Sequence, residues 1–441
     1  MEHLLTSSLI EADLEATAHI AQILRAVRTH LGMPFAFVSE FVESKRVFRY
    51  VDSGAERPPF SVGDSGPLAD SYCTRVIDGR LPPLIQDAAK LAAAHELPMT
   101  AAFPIGAHIS VPIQLADGSV FGTFCCFSDR PDYSLNSRDL ELMTAFSGVI
   151  ARQIERHKAA TQQVSEKLSR VKRTIEHDQL SIYFQPIRSL VDGHLVGLEA
   201  LSRFPGGQQR PPYRWFADAW EVGLGVELEM LAIKKGLRAL HSIAGAYLAV
   251  NVSPATVLSG KLETLLHDVP PHRVVLEITE HALVDDYPSL QEALLPLRRH
   301  LIRIAIDDAG SGYSTMNHII ALKPDLIKLD AYLTTNLEDD PIKRALLKAM
   351  VTFANEIRCD LVAEGIETEP QKTMLADLGV RNGQGYLLGR PGPLEAAAHA
   401  AGAPLAIGPA AVAAASLGGS RQRPTAGGPP LNRATTACPS S

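Results

Sequence analysis

Carboxylates at the ends of apolar runs are the residues of this sequence with the clearest capacity for chemistry. The segment IRIAIDDAGSGYS, residues 302–314, closes an apolar run with Asp307 and Asp308 side by side before a glycine-containing loop. Adjacent carboxylates repel each other, and keeping both ionised away from water is costly unless a cation lies between them. A turn is the alternative interpretation, because aspartate and glycine are common turn residues.

Other apolar runs between residues 180 and 395 end in a similar way, with a carboxylate, an amide or a lysine. These residues are Glu199, Asn251, Glu277, Glu280, Asp307, Asp308, Lys328, Asp330, Glu364 and Glu367. Charged groups are seldom buried unpaired, and one shared source of positive charge accounts for all of them. Oxygen ligands without cysteine or histidine are typical of Mg²⁺ or Mn²⁺ rather than zinc. So many carboxylates predict two ions, with one aspartate bridging the pair.

The elements that carry these residues predict an α/β barrel. Runs such as YLAVNVS, RVVLEIT, IRIAID and DLIKLD are near-continuous and apolar, as in strands buried on both faces of a parallel sheet. Amphipathic helical segments, such as PSLQEALLPLRRHL, lie between them. Repeated strand–helix units predict a (β/α) barrel, in which the strand ends carry the chemistry. An open doubly wound sheet is the alternative.

The same motifs resemble a known family. The run FQPIRSLVDGHLVGLEALSRF, with Glu199-Ala200-Leu201, resembles the opening of the EAL family, bacterial phosphodiesterases of cyclic di-GMP. The segments VNVSP, LEITE, DDAGSGYS, LIKLD, AEGIE and GQGYLLGRP resemble later motifs of that family and occur in the family's order. The resemblance implies a modified TIM barrel that hydrolyses cyclic di-GMP to linear pGpG. A non-catalytic receptor for the dinucleotide is the alternative.

The resemblance also implies roles for individual residues, together with two Mg²⁺ or Mn²⁺ ions. The implied metal ligands are Glu199, Asn251, Glu277 and Asp307 for one ion, and Asp307, Asp308 and Glu364 for the other. The implied catalytic residues are Lys328, which orients the attacking water, Glu364, Glu367 just outside the metal ligands, and Glu280, which steadies the loop after Asp308. The implied substrate contacts are Gln185, Leu201, Arg203 and Gln384. One departure concerns the metal loop, where Ala309 replaces the usual aromatic residue.

The N-terminal region resembles a GAF sensor domain, although the motifs do not identify its ligand. The segments DSYCTRVIDGRLPPLIQDAAK and IGAHISVPIQLADGSVFGTFCCFSDRP carry the resemblance. A hairpin is predicted to turn at Asp117-Gly118, which supports an α+β fold. Cys73 as a bilin attachment site is one alternative for this region, and a small buried thiol is the other. For Cys125 and Cys126 the interpretations are core packing or redox sensing.

These patterns predict four regions in the order of the chain. They are a GAF-like sensor domain at 15–155, a helical connector at 156–178, the EAL domain at 179–396 and a disordered tail at 397–441. Val164, Leu168, Val171 and Ile175 recur at heptad-like spacing in the connector. We expect a dimerising connector and hence a homodimer, and a plain amphipathic helix is the alternative.

Composition narrows the class of protein. The formal net charge is −7, which disfavours general binding to nucleic acid. Five cysteines, at 73, 125, 126, 359 and 438, show neither zinc-site nor disulfide-scaffold spacing, which indicates a reduced, intracellular protein. The first residues lack a signal-peptide pattern, and no apolar run suits a membrane span. We therefore expect a cytoplasmic protein without membrane insertion.

Overall fold

The computed structural model describes residues 7–55, 59–97, 100, 105–267, 269–279, 286–309 and 314–400. The chain divides into two compact units. The first comprises Met1–Gln179 and Phe204–Leu228, and the second comprises Leu180–Arg203 and Glu229–Ser441. Among the described helices, none has the length and apolarity required to cross a bilayer.

The first unit contains a six-stranded antiparallel sheet. Its strands are β1 (Phe35–Val42), β2 (Lys45–Ser53), β3 (Ser65–Pro67), β4 (Leu84–Ile85), β5 (Ala107–Gln114) and β6 (Val120–Ser128), in the order β3-β2-β1-β6-β5-β4. The predicted hairpin joins β5 to β6, where Gln114 pairs with Val120. Gly118 takes a φ of +83° in this turn, a conformation that glycine adopts without steric cost.

Helices cover both faces of this sheet. The described helices of the first unit are α1 (Ser7–His30), α2 (Tyr72–Ile77), α3 (Ala92–His95), α4 (Ser137–Glu176) and α5 (Pro212–Glu221). One core joins α1 and α4 to one face of the sheet and includes Leu24, Phe124 and Ile150. A second core lies on the other face, where Cys73 of α2 packs with Phe37 and Cys125. Helix α4 is one continuous helix of 40 residues.

The second unit is a closed eight-stranded barrel, which excludes the open-sheet alternative. Its strands are β7 (Ser181–Ser189), β8 (Leu195–Arg203), β9 (Tyr247–Asn251), β10 (Val274–Thr279), β11 (Arg303–Ala309), β12 (Leu326–Leu329), β13 (Asp360–Ala363) and β14 (Asn382–Gly383). Strand β7 runs antiparallel to both neighbours, β14 and β8, whereas the other pairings are parallel. The predicted modified TIM barrel is therefore confirmed.

Helices connect the strands of the barrel. They are α6 (Gly225–Leu237, whose first residues belong to the first unit), α7 (Pro254–Leu258), α8 (Leu262–Leu266), α9 (Tyr287–Arg299), α10 (Ser314–Leu322), α11 (Ala331–Thr334), α12 (Pro341–Glu356), α13 (Glu369–Asp377) and α14 (Leu394–Ala400). Apolar side chains such as Leu276, Ile306 and Leu347 form the core between strands and helices, and a second cluster of strand residues includes Val275 and Ala305. That core fixes the strand ends from which the polar side chains project.

Candidate metal centre

Lys328 lies at the centre of the polar cluster in the barrel. It belongs to the short apolar strand β12, and its side chain is 2% exposed. Its Nζ lies 2.8 Å from Glu364 Oε1, 2.9 Å from Asp307 Oδ1, 3.2 Å from Glu277 Oε2 and 3.4 Å from Glu199 Oε1. One ammonium group therefore contacts carboxylates from β8, β10, β11 and the end of β13.

The carboxylates form two groups that share Asp307. Glu199, Glu277 and Asp307 each offer an oxygen within 4.8 Å of the others, and so do Asp307, Asp308 and Glu364. The strand register explains this convergence: Glu277 pairs with Ala305 on the adjacent strand, two residues before Asp307. Asp308 takes a φ of +58°, which is uncommon for a residue other than glycine and is associated with functional sites. The shared aspartate is the arrangement that a two-ion centre requires.

Burial and mutual repulsion disfavour ionisation of these acids. Burial raises the pKa of Glu277 well above its ordinary value, against the opposing effect of Lys328. Burial likewise raises the pKa of Glu364 to about 7. For Lys328 burial acts to lower the pKa, but the four carboxylates outweigh it and the pKa is raised. Lys328 therefore keeps its proton, whereas its single positive charge cannot keep all of the surrounding carboxylates ionised.

These residues fit divalent cations. Four carboxylates face a single ammonium group, so the cluster retains an excess of negative charge when the acids are ionised. Carboxylate oxygens are the donors that Mg²⁺ and Mn²⁺ prefer. Two divalent ions would offset the repulsion that raises the pKa values of Glu277 and Glu364.

Amide side chains complete the rim of the cluster. Gln384 Nε2 donates hydrogen bonds to Glu199 Oε2 at 2.5 Å and to Gln185 Oε1 at 3.0 Å. Gln185 Nε2 in turn donates to the Gly389 carbonyl at 3.2 Å. Asn251 Nδ2 donates to Glu199 Oε1 at 3.4 Å, which places this exposed amide beside the first carboxylate group.

A cavity of about 390 Å³ opens onto the cluster. Its lining consists of Gln185, Glu199, Leu201, Asp307, Lys328, Glu364, Gly365, Glu367, Gln384, Gly385 and Tyr386. Lys328 is the one basic residue among these described lining residues. The cavity is therefore acidic, and an anionic ligand would require additional cations to bind in it.

Eight of the predicted site residues line this cavity, and three more, Asn251, Glu277 and Asp308, lie in or beside the carboxylate groups. Arg203 and Glu280 are the other two predicted site residues. Arg203 is absent from the described lining: its guanidinium lies 5.2 Å from the centre of the Tyr183 ring, and Nη1 donates to the Ser202 carbonyl. Glu280 lies outside the described residues, so its implied role stays a prediction. Glu367 lines the cavity but is exposed rather than part of the Lys328 cluster.

Gln371 of α13 is a candidate functional residue that sequence reasoning missed. Its buried Nε2 donates to the carbonyls of Thr334 at 2.8 Å and Gly365 at 3.2 Å, and its Oε1 accepts from the Glu367 backbone N–H at 2.9 Å. Thr334 Oγ1 donates to the carbonyl of Glu364. This network holds the segment that carries Glu364. The only sequence signal was the spacing of Thr368 and Gln371, which is typical of a capping box at the start of a helix.

Ala309 lies at the position where the sequence departs from the family pattern. It is fully buried in the core of the barrel, and its backbone carbonyl accepts a hydrogen bond from the Asp330 N–H. The small side chain therefore fills a packed position directly after the two metal-loop aspartates.

Comparison with known protein families agrees with this fold. The EAL domain model matches residues 168–391, just over half of the chain, and the GAF domain model matches residues 15–154. The chain belongs to the EAL domain family and carries an N-terminal GAF domain.

Several known proteins are similar to about half of this chain. An uncharacterized signaling protein of Caulobacter vibrioides is 34% identical over 250 residues, which cover 53% of this chain and 30% of that protein. The bifunctional diguanylate cyclase/cyclic di-GMP phosphodiesterase MucR of Pseudomonas aeruginosa is 30% identical over 250 residues, or 54% of this chain and 36% of MucR. The matched region thus spans about a third of these relatives.

One solved structure resembles a larger part of the chain. The EAL enzyme Bd1971, in its cAMP- and cyclic-di-GMP-bound form, has a TM-score of 0.51 and 17% sequence identity, and the match covers 82% of this chain and 92% of that one. At this identity the likeness supports the fold alone.

Proposed function

We propose that this chain hydrolyses cyclic di-GMP to linear pGpG in a reaction that depends on two divalent cations, Mg²⁺ or Mn²⁺. The observation that carries the proposal is the pair of carboxylate groups that share Asp307 around Lys328 at the mouth of the barrel. Membership of the EAL domain family and the named activity of MucR indicate the substrate.

The charge of the cavity explains why cations are needed. Its described lining contains four carboxylates and one lysine, which would repel a phosphodiester. Glu199, Asn251, Glu277 and Asp307 would hold one ion, and Asp307, Asp308 and Glu364 the other. Such a pair, when bound, would supply Lewis-acid stabilisation of charge at phosphorus and a lowered pKa for bound water.

The chain's own residues would position the reactants. Lys328 Nζ is fixed by the surrounding carboxylates and can donate a hydrogen bond to the attacking water on its in-line approach. Gln384 and Gln185 are held in one hydrogen-bonded pair beside Glu199, where their amides can bind the polar edges of the substrate. Leu201 offers an apolar contact from the end of β8. Arg203 would have to turn away from Tyr183 to reach the ligand.

In this proposal the N-terminal region regulates the enzyme. The sensor spans 15–155, a helical connector 156–178 and the phosphodiesterase 179–396. The GAF match and the unbroken helix α4 support this arrangement.

The direct test is turnover of cyclic di-GMP by the purified full chain with Mn²⁺ or Mg²⁺, with products separated by chromatography. We expect pGpG to form with metal, to be absent with a chelator, and to be lost in Lys328→Ala. Tight binding of cyclic di-GMP without turnover would instead place the chain with the non-catalytic receptors. Failure to bind the dinucleotide would contradict both functions.

A further inference from the structure

Two thiols of the N-terminal unit lie in contact with each other. Cys73 is on α2 and Cys125 on β6, and their sulfur atoms are 3.6 Å apart. Both side chains are fully buried on the sheet face that also holds Phe37, Phe48 and Phe127. A disulfide needs a sulfur–sulfur distance of about 2.05 Å, so a small movement of two adjacent side chains would allow the bond to form.

The surroundings distinguish the two thiols. Arg46 Nη1 lies 3.8 Å from Cys73 Sγ, and the guanidinium is also 4.4 Å from the centre of the Phe48 ring. Cys125 Sγ contacts two hydroxyl groups, Ser110 Oγ at 3.1 Å and Thr123 Oγ1 at 3.2 Å. A buried guanidinium therefore lies beside one sulfur atom, and neutral hydroxyl groups lie beside the other.

The pKa values of the two thiols differ in the direction that these surroundings predict. The hydrogen bond from Cys125 lowers the pKa of Cys73 to about 5 against the effect of burial, and Arg46 contributes in the same direction. Burial and the neighbouring Cys73 raise the pKa of Cys125 well above its ordinary value. Its position beside Arg46 favours Cys73 as the sulfur that ionises first, and a thiolate paired with a thiol is what oxidation to a disulfide uses.

We propose that Cys73 and Cys125 form a redox-active pair that a small hydroperoxide converts to a disulfide. The Cys73 thiolate attacks the peroxide O–O bond and forms a sulfenic acid, and the leaving alkoxide or hydroxide takes a proton. Cys125 then attacks the Cys73 sulfur, and the sulfenic hydroxyl group leaves as water with the Cys125 proton. The net change is two thiols plus one hydroperoxide to one disulfide, one alcohol or water, and one further water.

The size of the site limits the class of oxidant. Cys73, Arg46 and His108 line a cavity of about 20 Å³, which is room for about one water molecule. A bulky disulfide such as oxidised glutathione cannot enter it. Hydrogen peroxide is the smallest hydroperoxide, and local opening of the unit would admit it.

The chain supplies two matched controls. Cys126 is the next residue of β6 and is also fully buried, but it lies on the opposite face of the sheet among Leu24, Ile109 and Phe124. Burial raises its pKa, so it remains a thiol. Cys359 is a buried cysteine of the other unit, and burial raises its pKa too. Burial alone therefore predicts equal protection of all four cysteines, whereas the proposed pair predicts selective reaction of two.

The test uses the folded full chain carrying Cys438→Ser, which leaves four cysteines. The protein is treated with hydrogen peroxide, and its cysteines are then mapped by peptide mass spectrometry without reduction. We expect loss of two of four titratable thiols, a Cys73–Cys125 linked peptide, return of both thiols with dithiothreitol, and unmodified Cys126 and Cys359. Arg46→Met should slow the reaction by about tenfold at neutral pH. Cys126→Ser should leave it unchanged.

Other outcomes would overturn the proposal. They are retention of all four thiols, equal oxidation of all four, or oxidation of Cys73 while Cys125 stays free. Because mapping uses the unaltered cysteines, a variant that fails to fold does not decide the result. The reaction needs no cyclic di-GMP, so its failure is distinguishable from failure of the proposed hydrolysis.

Discussion

The barrel and the N-terminal unit each bury a cluster of ionisable side chains, and the two clusters differ in the kinds of groups that they contain. In the barrel four carboxylates surround Lys328. In the N-terminal unit Arg46 lies beside Cys73, His108 and aromatic rings. The first cluster has excess negative charge that its lysine cannot offset, whereas the second places a guanidinium beside a thiol and an imidazole.

Because the clusters differ in this way, the two units should respond differently to metal ions, oxidants and acid. The barrel cluster requires cations from solution to hold its acids ionised, so metal should change both its stability and its activity. The N-terminal cluster consists of thiols, a guanidinium and an imidazole, so oxidants and acid should act on it instead. A substitution in one cluster leaves the other cluster unaltered as an internal reference.

Asp307→Asn should have the largest effect, because it removes the carboxylate that both metal groups share. We expect turnover of cyclic di-GMP to fall by more than about 10³-fold, comparable with loss of a major electrostatic contribution to catalysis. Steady-state rates over a range of Mn²⁺ concentrations provide the measurement. Asp360→Asn at the opposite end of the barrel makes the same charge change and should leave the rate unaltered. Retained turnover in Asp307→Asn would contradict the role of Asp307 as the carboxylate shared by both metal groups.

Lys328→Met should lower both activity and stability. We expect a loss of about 10²–10⁴-fold in turnover, the range for a group that acts directly on the reacting atoms. Without metal the variant leaves four carboxylates with no ammonium partner, so its free energy of unfolding should fall by about 3–5 kcal/mol. Denaturant unfolding with and without Mn²⁺ measures this effect. Lys323→Met, an exposed lysine of the same barrel, is the control; equal stability of the two variants would contradict a central role for Lys328.

Gln371→Leu should weaken metal binding without touching a ligand. The substitution removes three hydrogen bonds that hold the segment carrying Glu364 and Glu367. A loss of about 10–100-fold in Mn²⁺ affinity is expected, as for residues that orient metal ligands. Gln371→Glu keeps an acceptor for the Glu367 N–H but loses both donated bonds, so calorimetry should place its affinity between wild type and Gln371→Leu. Unchanged affinity in both variants would show that the network is dispensable.

His108→Gln should change the acid sensitivity of the N-terminal unit alone. Burial, and secondarily Arg46, lower the pKa of His108 to about 3, and Arg46, Tyr72 and Cys73 line the cavity with it. The folded state therefore binds fewer protons than the unfolded state, and stability falls as pH drops from about 6.5 towards 3. At pH 5 the resulting loss in the free energy of unfolding is about 2 kcal/mol. Unfolding of the two units as a function of pH should show a shallower loss in the variant, confined to the first unit; identical pH profiles would refute it.

The sequence predicted the barrel and its cluster of acids for a clear physical reason. Near-continuous apolar runs mark buried strands, and the polar residue that ends each run must face the mouth of the barrel. The antiparallel direction of β7 was not predicted, because the pattern of a buried strand does not reveal its direction. The contact of Cys73 with Cys125 could not be predicted from the sequence either. The two residues are far apart along the chain, and only tertiary packing brings them together. Gln371 was missed because its hydrogen bonds to Thr334 and Gly365 depend on tertiary packing, which the sequence pattern does not show.

The most direct test of the two-ion centre is the number of Mn²⁺ ions bound per chain in the presence of cyclic di-GMP, measured on the purified full chain after removal of free metal. We predict two ions for the wild type and fewer for Asp307→Asn, because that residue serves both groups. Fewer than two ions in the wild type, or two ions still bound by Asp307→Asn, would contradict a centre built on a shared aspartate.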